Sequence, residues 1–408
     1  MNIQNLFAER IGGKEFGKST DIYKFEKIKI AKRKSLNDFP ERKLLDFGVG
    51  EPDKRPSDEF CKKLYEYCLE LKKHSYTDTG TAEFRKAIVE YMAEHFNVRG
   101  LDFQKNVLPT IGSKEALANF PKCLINPGDV ALMTTPGYPV LGTNTKYLGG
   151  EVFNLPLLPE NDFYPDFEKI PSDVLKRVKV LYLNYPNNPI GKCATVEFFK
   201  KAIEFAKKHN IVIVQDGAYI TLVYGRKPLS ILSIDGGMDC AIELHSFSKS
   251  YSMTGWRLGF AVGNELLIKA FTSIKDNTDS GSFEAIQKVG IYAMQHYEAN
   301  EEVNSLYERR LKLLADTLNK MGLDANMPEG TFYLFMKIPK NAEGVKFKSA
   351  EEFTKFMIEK HGIVTVPWDD NGEHFVRFSA TFSAKDAEDE VSQMKELEKR
   401  LEKIKFEF

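Results

Sequence analysis

The chain has 408 residues, and 42% of them are hydrophobic, so it is long enough for two domains and apolar enough to fold around a large core. Its 57 basic and 58 acidic side chains nearly cancel, which argues against a nucleic-acid-binding surface. No apolar run approaches the roughly 20 residues of a membrane helix, and residues 1–18 lack the apolar stretch of a signal peptide, so we expect a soluble, cytoplasmic protein.

The chain begins with a polar, irregular stretch of about 45 residues, which predicts an arm with one helix. From about residue 105 to 263, short apolar runs alternate with helical patterns, as is typical of a mostly parallel sheet covered on both faces. In such sheets, ligands bind at the carboxyl ends of the strands. The predicted strands are Asn106–Ile111, Asp129–Thr134, Val178–Asn184, Ile211–Gln215, Ala241–Leu244 and Leu258–Val262, and the predicted helices are Lys114–Leu124 and Phe198–His209.

The pattern changes after about residue 290, where a long amphipathic helix begins an α+β unit. We therefore predict three segments: an N-terminal arm that joins the small domain (1–50), a large domain (51–290) and a small C-terminal domain (291–408). The predicted elements of the last segment are a helix at Asn300–Met321, a strand at Phe332–Ile338, a helix at Ala350–His361, a strand at Phe375–Ala380 and a charged helix at Asp386–Lys405.

A lysine between serines follows the predicted strand Ala241–Leu244, in the stretch SFSKSY. At this position Lys249 faces the crevice at the sheet edge, and the hydroxyl of Ser246 is available for an anion. Arg257, in WRLG, begins the next strand, so its guanidinium lies at the same edge of the sheet. A guanidinium is suited to binding a phosphate. Taken alone, a lysine among serines is more often a surface residue.

Two more segments place polar side chains at this edge. Asp216 ends the strand IVIVQ, where a carboxylate can hold a protonated ring nitrogen, and Tyr219 can reach the same ligand. The simpler interpretation of Asp216 alone is a helix cap. Asn188 lies in the rigid turn YPNNPIG, which either aims an amide at a ligand or is only a loop.

Two weaker signals complete the set. Ser113 and Lys114 begin a helix after a strand, where backbone N–H groups can bind an anion. Arg377, between Val376 and Phe378, is either exposed at an edge or held inward for an acidic ligand. A lysine, a carboxylate and an anion site together match the requirements of pyridoxal phosphate.

The motifs YPNNPIG, DGAY, SFSKSYSMTGWRLG and VRFS, in this order and spacing, resemble the fold-type I aminotransferases of classes I and II over essentially the whole chain. The resemblance implies an α/β fold, with a mostly parallel seven-stranded sheet flanked by helices in a large domain, and a small α+β domain. It also implies pyridoxal 5'-phosphate as the cofactor, amino-acid and 2-oxo-acid substrates, and a homodimer with shared active sites.

The resemblance further implies a role for each candidate residue. Lys249 forms the Schiff base with the cofactor and later moves the proton, while Asp216 pairs with the pyridine nitrogen. By the same resemblance, Asn188 and Tyr219 contact the phenolic oxygen and Tyr138 contacts the ring. The residues implied to bind the phosphate are Ser113, Lys114, Ser246, Arg257 and, across the dimer, Tyr76. Gly50 and Arg377 are implied to bind the α-carboxylate, and Tyr23 to contact the substrate.

Within the family, the stretches YPDFEKI, DGAYITLVY and GEHFVRFSA resemble the LL-diaminopimelate aminotransferases, which transfer an amino group to 2-oxoglutarate in lysine biosynthesis. The chain departs from them in NNPIG, where NNPTG is usual, and in PWDDNGEH, where a glycine-rich stretch is usual. Aspartate aminotransferases carry a second arginine in the loop after the sheet, but residues 275–284 have none. This acidic, amide-rich loop either suits a zwitterionic distal group or is only solvated.

Other functions remain open from the sequence. One is an alanine, aspartate or aromatic aminotransferase of broad specificity, and another is a C–S lyase or decarboxylase that uses the same cofactor. A catalytically silent regulatory domain is disfavoured by the intact Lys249 and by the lack of a basic N-terminal helix-turn-helix. The five cysteines and seven histidines show no metal-ligand spacing, so we expect no metal site.

Overall fold

A computed structural model describes residues 1–18, 24–370 and 372–408, so the predicted substrate contact Tyr23 lies outside the described residues. The chain divides into two compact units. The larger unit comprises residues 50–312 and 327–334, and the smaller comprises residues 1–49, 313–326 and 335–408. This division differs from the predicted boundary at residue 290, because the long helix that begins at Glu298 lies in the larger unit up to Lys312.

The helices of the described residues are α1 (Lys24–Asp38), α2 (Asp58–Glu70), α3 (Ala82–Phe96), α4 (Ser113–Asn119), α5 (Val140–Tyr147), α6 (Ser172–Leu175), α7 (Val196–His209), α8 (Gly237–Cys240), α9 (Phe247–Ser250), α10 (Glu265–Lys275), α11 (Glu284–Gln295), α12 (Glu298–Lys320), α13 (Ala350–His361) and α14 (Ala387–Leu401). The strands are β1 (Leu45–Asp46), β2 (Val107–Thr110), β3 (Val130–Thr135), β4 (Glu151–Pro156), β5 (Val178–Leu183), β6 (Val212–Asp216), β7 (Ala241–Ser246), β8 (Gly259–Gly263), β9 (Tyr333–Lys337), β10 (Asn341–Ala342), β11 (Val345–Lys346), β12 (Ile363–Val364), β13 (Val366–Asp370), β14 (Glu373–Ser379) and β15 (Phe406–Glu407). Among these helices, none has the length and apolar composition needed to cross a membrane.

The predicted elements are confirmed to within two residues at each end, apart from two helices. The helix predicted to reach Leu124 stops at Asn119 and continues as a 3-10 turn, because Pro121 lacks the backbone N–H that an α-helix requires. The helix predicted to reach Lys405 stops at Leu401, because the chain then forms β15, which pairs with β10.

The larger unit is built on a seven-stranded sheet with the order β2-β8-β7-β6-β5-β3-β4. The strand β8 is antiparallel to both of its neighbours, whereas β7, β6, β5, β3 and β4 are parallel to one another. The mostly parallel seven-stranded sheet that the resemblance implied is therefore confirmed. The carboxyl ends of β5, β6 and β7 lie side by side at one edge, where such sheets bind ligands.

The alternation of side chains along the strands separates two buried clusters. On β5, Leu181 and Leu183 pack with apolar residues of α3, α7 and α11. The alternate residues Val180 and Tyr182 pack with residues of α4, α5 and α10 on the other face. Because Val214 of β6 belongs to this second cluster, Asp216, two residues later, points to the same face as Tyr182.

Helices of the larger unit begin at the polar residues expected from capping chemistry. The side-chain oxygens of Ser57, Thr81 and Thr195 each accept a hydrogen bond from the backbone N–H three residues on. These bonds satisfy N–H groups that have no partner inside the helix, and each cap contributes about 1 kcal/mol. The first turns of α2, α3 and α7 are thereby fixed.

The smaller unit contains the helices α1 and α13, the strands β13 and β14, and residues 335–337 of β9, and these strands have the order β13-β14-β9. Ile28 and Ala31 of α1 pack with Ile358 of α13 and with Val364 and Val366 at the adjoining strands. These contacts bury the apolar face of the otherwise strongly charged helix α1. The unit thus has an apolar cluster of its own, and the strand β14, which carries the predicted Arg377, forms part of its sheet.

A buried ion pair joins two distant parts of the larger unit. The Arg310 guanidinium is fully buried and donates to both carboxylate oxygens of Asp53, at 2.7 and 3.2 Å. This bidentate geometry supplies two charge-assisted hydrogen bonds and fixes the chain just after Gly50.

Removing one partner of this pair should destabilise the larger unit strongly. We expect Arg310→Met to lower the free energy of unfolding by about 3–5 kcal/mol, because it leaves the Asp53 carboxylate buried without a counter-charge. The double variant with Asp53→Leu should recover most of this loss. Urea unfolding followed by circular dichroism measures the effect, and Arg177→Met, which breaks an exposed pair with Glu151, is the control. Equal effects of Arg310→Met and Arg177→Met would contradict the prediction.

Candidate active site

Asp216 ends β6 with a side chain that is only 3% exposed. Its Oδ2 accepts a hydrogen bond from the Tyr182 hydroxyl at 3.2 Å, and its Oδ1 accepts one from the Ala218 backbone N–H at 3.1 Å. Burial raises the pKa of the Asp216 carboxyl from 3.8 to about 6, although both hydrogen bonds oppose the shift. A buried carboxyl at a strand end, held by neutral donors, is suited to a cationic ligand group.

Lys249 lies in the short helix α9, which directly follows β7. Since β7 is the parallel neighbour of β6, Lys249 and Asp216 follow adjacent strands at the same edge of the sheet. The Lys249 Nζ donates to the carbonyl oxygen of Gly50 at 3.1 Å and lies 5.7 Å from the centroid of the Phe332 ring. The amine is therefore half-buried beside a carbonyl and an aromatic face.

A pair of tyrosine hydroxyls extends from the same carbonyl. The Tyr333 hydroxyl donates to the Gly50 oxygen at 3.4 Å and lies 2.9 Å from the Tyr219 hydroxyl. Both rings are buried. Gly50 and Tyr333 together thus link Lys249 to Tyr219, two residues that the sequence predicted to share a ligand. Phe332 and Tyr333 were missed because the predicted strand beginning at Phe332 was placed in the small domain.

The loop carrying Asn188 is attached to the end of β6. The Asn184 amide donates to the backbone oxygen of Asp216 at 2.8 Å, and its Oδ1 accepts the backbone N–H of Asn188 at 2.9 Å. The half-buried side chain of Tyr138 packs against the cluster that contains Tyr182. Asn184 and Tyr182 were not predicted, yet period-two alternation along VLYLN could have placed Tyr182 on the Asp216 face.

Arg257 lies against the loop that precedes α4. It has φ of +58°, and its guanidinium donates to the backbone oxygens of Thr254 at 2.8 Å and Ile111 at 3.2 Å. Gly112 has φ of +74°, and a Cβ built there would lie 2.7 Å from Arg257 Nη2. The absence of a side chain at Gly112 therefore leaves room for the guanidinium beside the backbone of this loop.

Ser246 and Ser113 lie in the same neighbourhood. Ser246 pairs with Gly259 across β7 and β8, and a Cβ at Gly259 would lie 3.0 Å from the Gly112 Cα. Both serines are buried, whereas the Lys114 side chain is exposed. The backbone of the loop, the serines and Arg257 can together bind a phosphate.

Two further predicted residues are positioned by other segments of the chain. The Tyr76 side chain is 83% exposed, and the adjacent Thr77 donates its backbone N–H to Ser280 at 3.2 Å. Arg377 belongs to the smaller unit, where it is buried and donates to the backbone oxygen of Gly48 at 3.3 Å.

Comparison with known proteins identifies the class. Residues 42–392 match the family described as aminotransferase class I and II. The chain is 51% identical to the LL-diaminopimelate aminotransferase of Methanocaldococcus jannaschii and 48% identical to that of Methanococcus maripaludis, in each case over 100% of this chain and 99% of the relative. It is similar to the solved apo form of BacF from Bacillus subtilis, with a TM-score of 0.84 and 30% identity over 94% of this chain and 96% of that one.

The chain therefore belongs to the class I and II aminotransferase family. The fold-type I architecture that the motifs implied is confirmed by these similarities and by the seven-stranded sheet.

Proposed function

We propose that the chain is a pyridoxal-phosphate-dependent LL-diaminopimelate aminotransferase that uses 2-oxoglutarate as the amino acceptor. One observation carries the proposal: Lys249 and Asp216 follow adjacent parallel strands in a chain that is 51% identical, over its full length, to an enzyme of that name. The buried carboxyl, the half-buried amine and the Arg257 guanidinium beside Gly112 suit the ring nitrogen, aldehyde and phosphate of the cofactor.

Bound pyridoxal phosphate would supply an electrophilic carbon for amines and a protonated ring that withdraws electrons. In our proposal, the Asp216 carboxylate holds the proton on the ring nitrogen. Lys249 provides its Nζ as nucleophile and then carries the proton removed from the substrate Cα. The Tyr219 hydroxyl and the Asn188 amide would hold the phenolic oxygen, and Tyr138 would pack against the ring.

The cofactor phosphate is proposed to bind at Ser113, Ser246 and Arg257, with Lys114 at the rim. Arg257 suits this role because its guanidinium is already fixed by two backbone oxygens and loses little freedom on binding. The exposed ring of Tyr76 is available to a second copy of the chain, which supports the proposal of a homodimer with shared sites.

The substrate contacts are proposed on the resemblance alone. Gly50 and Arg377 would bind the α-carboxylate, a planar group that suits a guanidinium. The contact of Tyr23 with the substrate and the cytoplasmic location remain predictions.

The close approach of Arg257 to Gly112 provides a direct test of the phosphate site. We expect Gly112→Ala to weaken pyridoxal phosphate binding by at least about tenfold, because the methyl group strains the left-handed backbone and displaces Arg257. Gly100→Ala is the matched control, since Gly100 has φ of +78° but nothing within 4 Å of its Cβ position. Cofactor affinity is measured by fluorescence titration, and equal affinities of the two variants would rule out this site.

The proposed reaction is tested by titrating the cofactor-loaded protein with single amino acids and following the cofactor absorbance. Conversion to the aminated cofactor by LL-diaminopimelate and glutamate, but not by aspartate, alanine or phenylalanine, is the expected result. Conversion mainly by alanine, aspartate or phenylalanine would reject the substrate while retaining the aminotransferase. No conversion by any amino acid would reject transamination itself.

A further inference from the structure

Lys275, the last residue of α10, is a buried lysine that the proposed reaction does not use. Its side chain is 2% exposed, and its Nζ lies 2.8 and 2.7 Å from the two carboxylate oxygens of Asp279 and 3.5 Å from Glu115 Oε2. A buried ammonium is retained in a fold only when carboxylates surround it in good geometry. The sequence left open whether the acidic loop after the sheet is only solvated. In the structure, this loop begins at a buried ionic cluster.

On one side, the cluster fixes the proposed phosphate-binding loop. Glu115 Oε2 accepts the backbone N–H of Ile111 at 3.3 Å, and Glu115 Oε1 accepts the Asn119 amide at 3.1 Å. The carbonyl oxygen of Ile111 accepts from Arg257 at 3.2 Å. Ile111, immediately before Gly112, is thus hydrogen-bonded through its N–H to Glu115 and through its carbonyl oxygen to Arg257.

On the other side, the cluster fixes the segment next to Tyr76. Asp279 Oδ1 accepts the backbone N–H of Gly281 at 2.8 Å, which shapes the turn after α10. Ser280 in this turn accepts the backbone N–H groups of Thr77 and Asp78, at 3.2 and 3.0 Å. The turn ordered by Asp279 therefore carries the chain immediately following Tyr76.

We propose that Lys275 is a positioning residue for cofactor phosphate binding. It holds Glu115, which orients the Ile111–Ser113 loop, and Asp279, which orders the turn that supports Tyr76. This inference rests on the proposed function, since it concerns the phosphate of the proposed cofactor.

Removing the ammonium should act selectively on phosphate. Lys275→Met leaves Glu115 and Asp279 facing each other without a counter-charge, so both carboxylates move and the elements they hold lose their orientation. The dissociation constant for pyridoxal phosphate is expected to rise at least about tenfold. The dissociation constant for pyridoxal, which lacks the phosphate, is expected to change less than about twofold. Lys275→Arg keeps the charge and should recover part of the loss.

The experiment measures binding of pyridoxal phosphate, pyridoxal and inorganic phosphate to the full chain by fluorescence and calorimetry. Lys179→Met is the matched control, because Lys179 is half-exposed and its Nζ is 3.9 Å from Asp129. If Lys275→Met does not fold, Glu115→Gln replaces it. The glutamine amide has one acceptor oxygen, whereas both carboxylate oxygens of Glu115 accept hydrogen bonds. This variant should therefore also weaken the binding of pyridoxal phosphate selectively.

Selective loss of pyridoxal phosphate and inorganic phosphate binding supports the inference. An equal loss for pyridoxal, or no loss for any ligand, overturns it while the wild-type chain still binds the cofactor. If the wild-type chain does not bind pyridoxal phosphate, the proposed function itself is rejected, and that outcome is distinct from the other two.

Discussion

Lys249→Arg is expected to lower kcat by about 10⁴-fold or more while the chain still folds. Arginine keeps the positive charge but cannot lose its proton in a protein, so it can act neither as the nucleophile nor as the proton carrier. The fold should survive because Lys249 is only half-buried and its charged hydrogen bond to Gly50 is worth about 1.5–3 kcal/mol, part of which arginine can retain. Steady-state turnover and circular dichroism on the same preparation check both parts.

A chemical readout separates this role from a general loss of activity. Borohydride reduction of the cofactor-loaded wild type should fix the cofactor on the peptide that contains Lys249, as found by mass spectrometry. Lys179→Arg, which changes an exposed lysine in the same way, should keep full activity and the same labelled peptide. The assignment of Lys249 is wrong if Lys249→Arg retains more than about a tenth of wild-type kcat. A tenfold loss corresponds to an increase of only about 1.4 kcal/mol in the activation free energy.

The residues that the sequence located well are those whose place follows from strand direction. Asp216 and Lys249 each follow a short apolar run, and parallel strands bring such positions to one edge of a sheet. Arg257 and the start of α4 were predicted near a phosphate for separate local reasons, and Gly112, directly before α4, lies against Arg257. In these cases the local pattern and the global topology carry the same information.

The contacts that the sequence could not locate depend on pairings between distant residues. Lys275 and Glu115 are 160 residues apart, and no periodicity relates them. Tyr333 reaches Gly50 across a separation of 283 residues, in a segment whose pattern predicts only a strand. Hydrophobic periodicity gives the type of an element and its buried face, but not the element against which that face packs.

The predicted domain boundaries and the division into compact units differ for a related reason. The helix α12 is continuous in sequence pattern from Glu298 to Lys320, yet the two compact units divide it after Lys312. An amphipathic pattern records that one face of a helix is buried. It does not record that the burying partner changes part-way along, so a helix shared by two units reads as one element of one domain.

The second large effect is expected at Asp216. Asp216→Ala should lower kcat by about 10²–10³-fold, because the proton on the ring nitrogen would lose the carboxylate that holds it. Asp216→Asn should show a loss of similar size, since an amide has no charge to stabilise that proton. Tyr182→Phe is the control: it removes one donor to the Asp216 carboxylate but leaves the charge, so its loss should be much smaller. Single-turnover kinetics with LL-diaminopimelate or glutamate measures the three variants.

The Asp216 carboxyl should also make the free energy of unfolding of the cofactor-free chain depend on pH. Its pKa is raised from 3.8 to about 6 by burial, so the folded chain binds this proton more tightly than the unfolded chain does. The contribution of Asp216 to wild-type stability therefore falls as the pH rises from about 4 to about 6, and above that range its buried charge costs about 3 kcal/mol at most. Asp216→Asn avoids this cost, because its amide is never charged.

Without cofactor, Asp216→Asn should thus be more stable than wild type near pH 8 and equal to it near pH 4, as urea unfolding at several pH values would show. With cofactor bound, the order near pH 8 should reverse, because wild type gains the interaction between carboxylate and ring cation while the variant does not. A stability advantage of Asp216→Asn that is the same at both pH values would mean that the carboxyl is not the cause. A reversal on adding cofactor would connect the stability cost of Asp216 directly to its proposed role, since the charge that destabilises the empty fold is the one that the ring nitrogen requires.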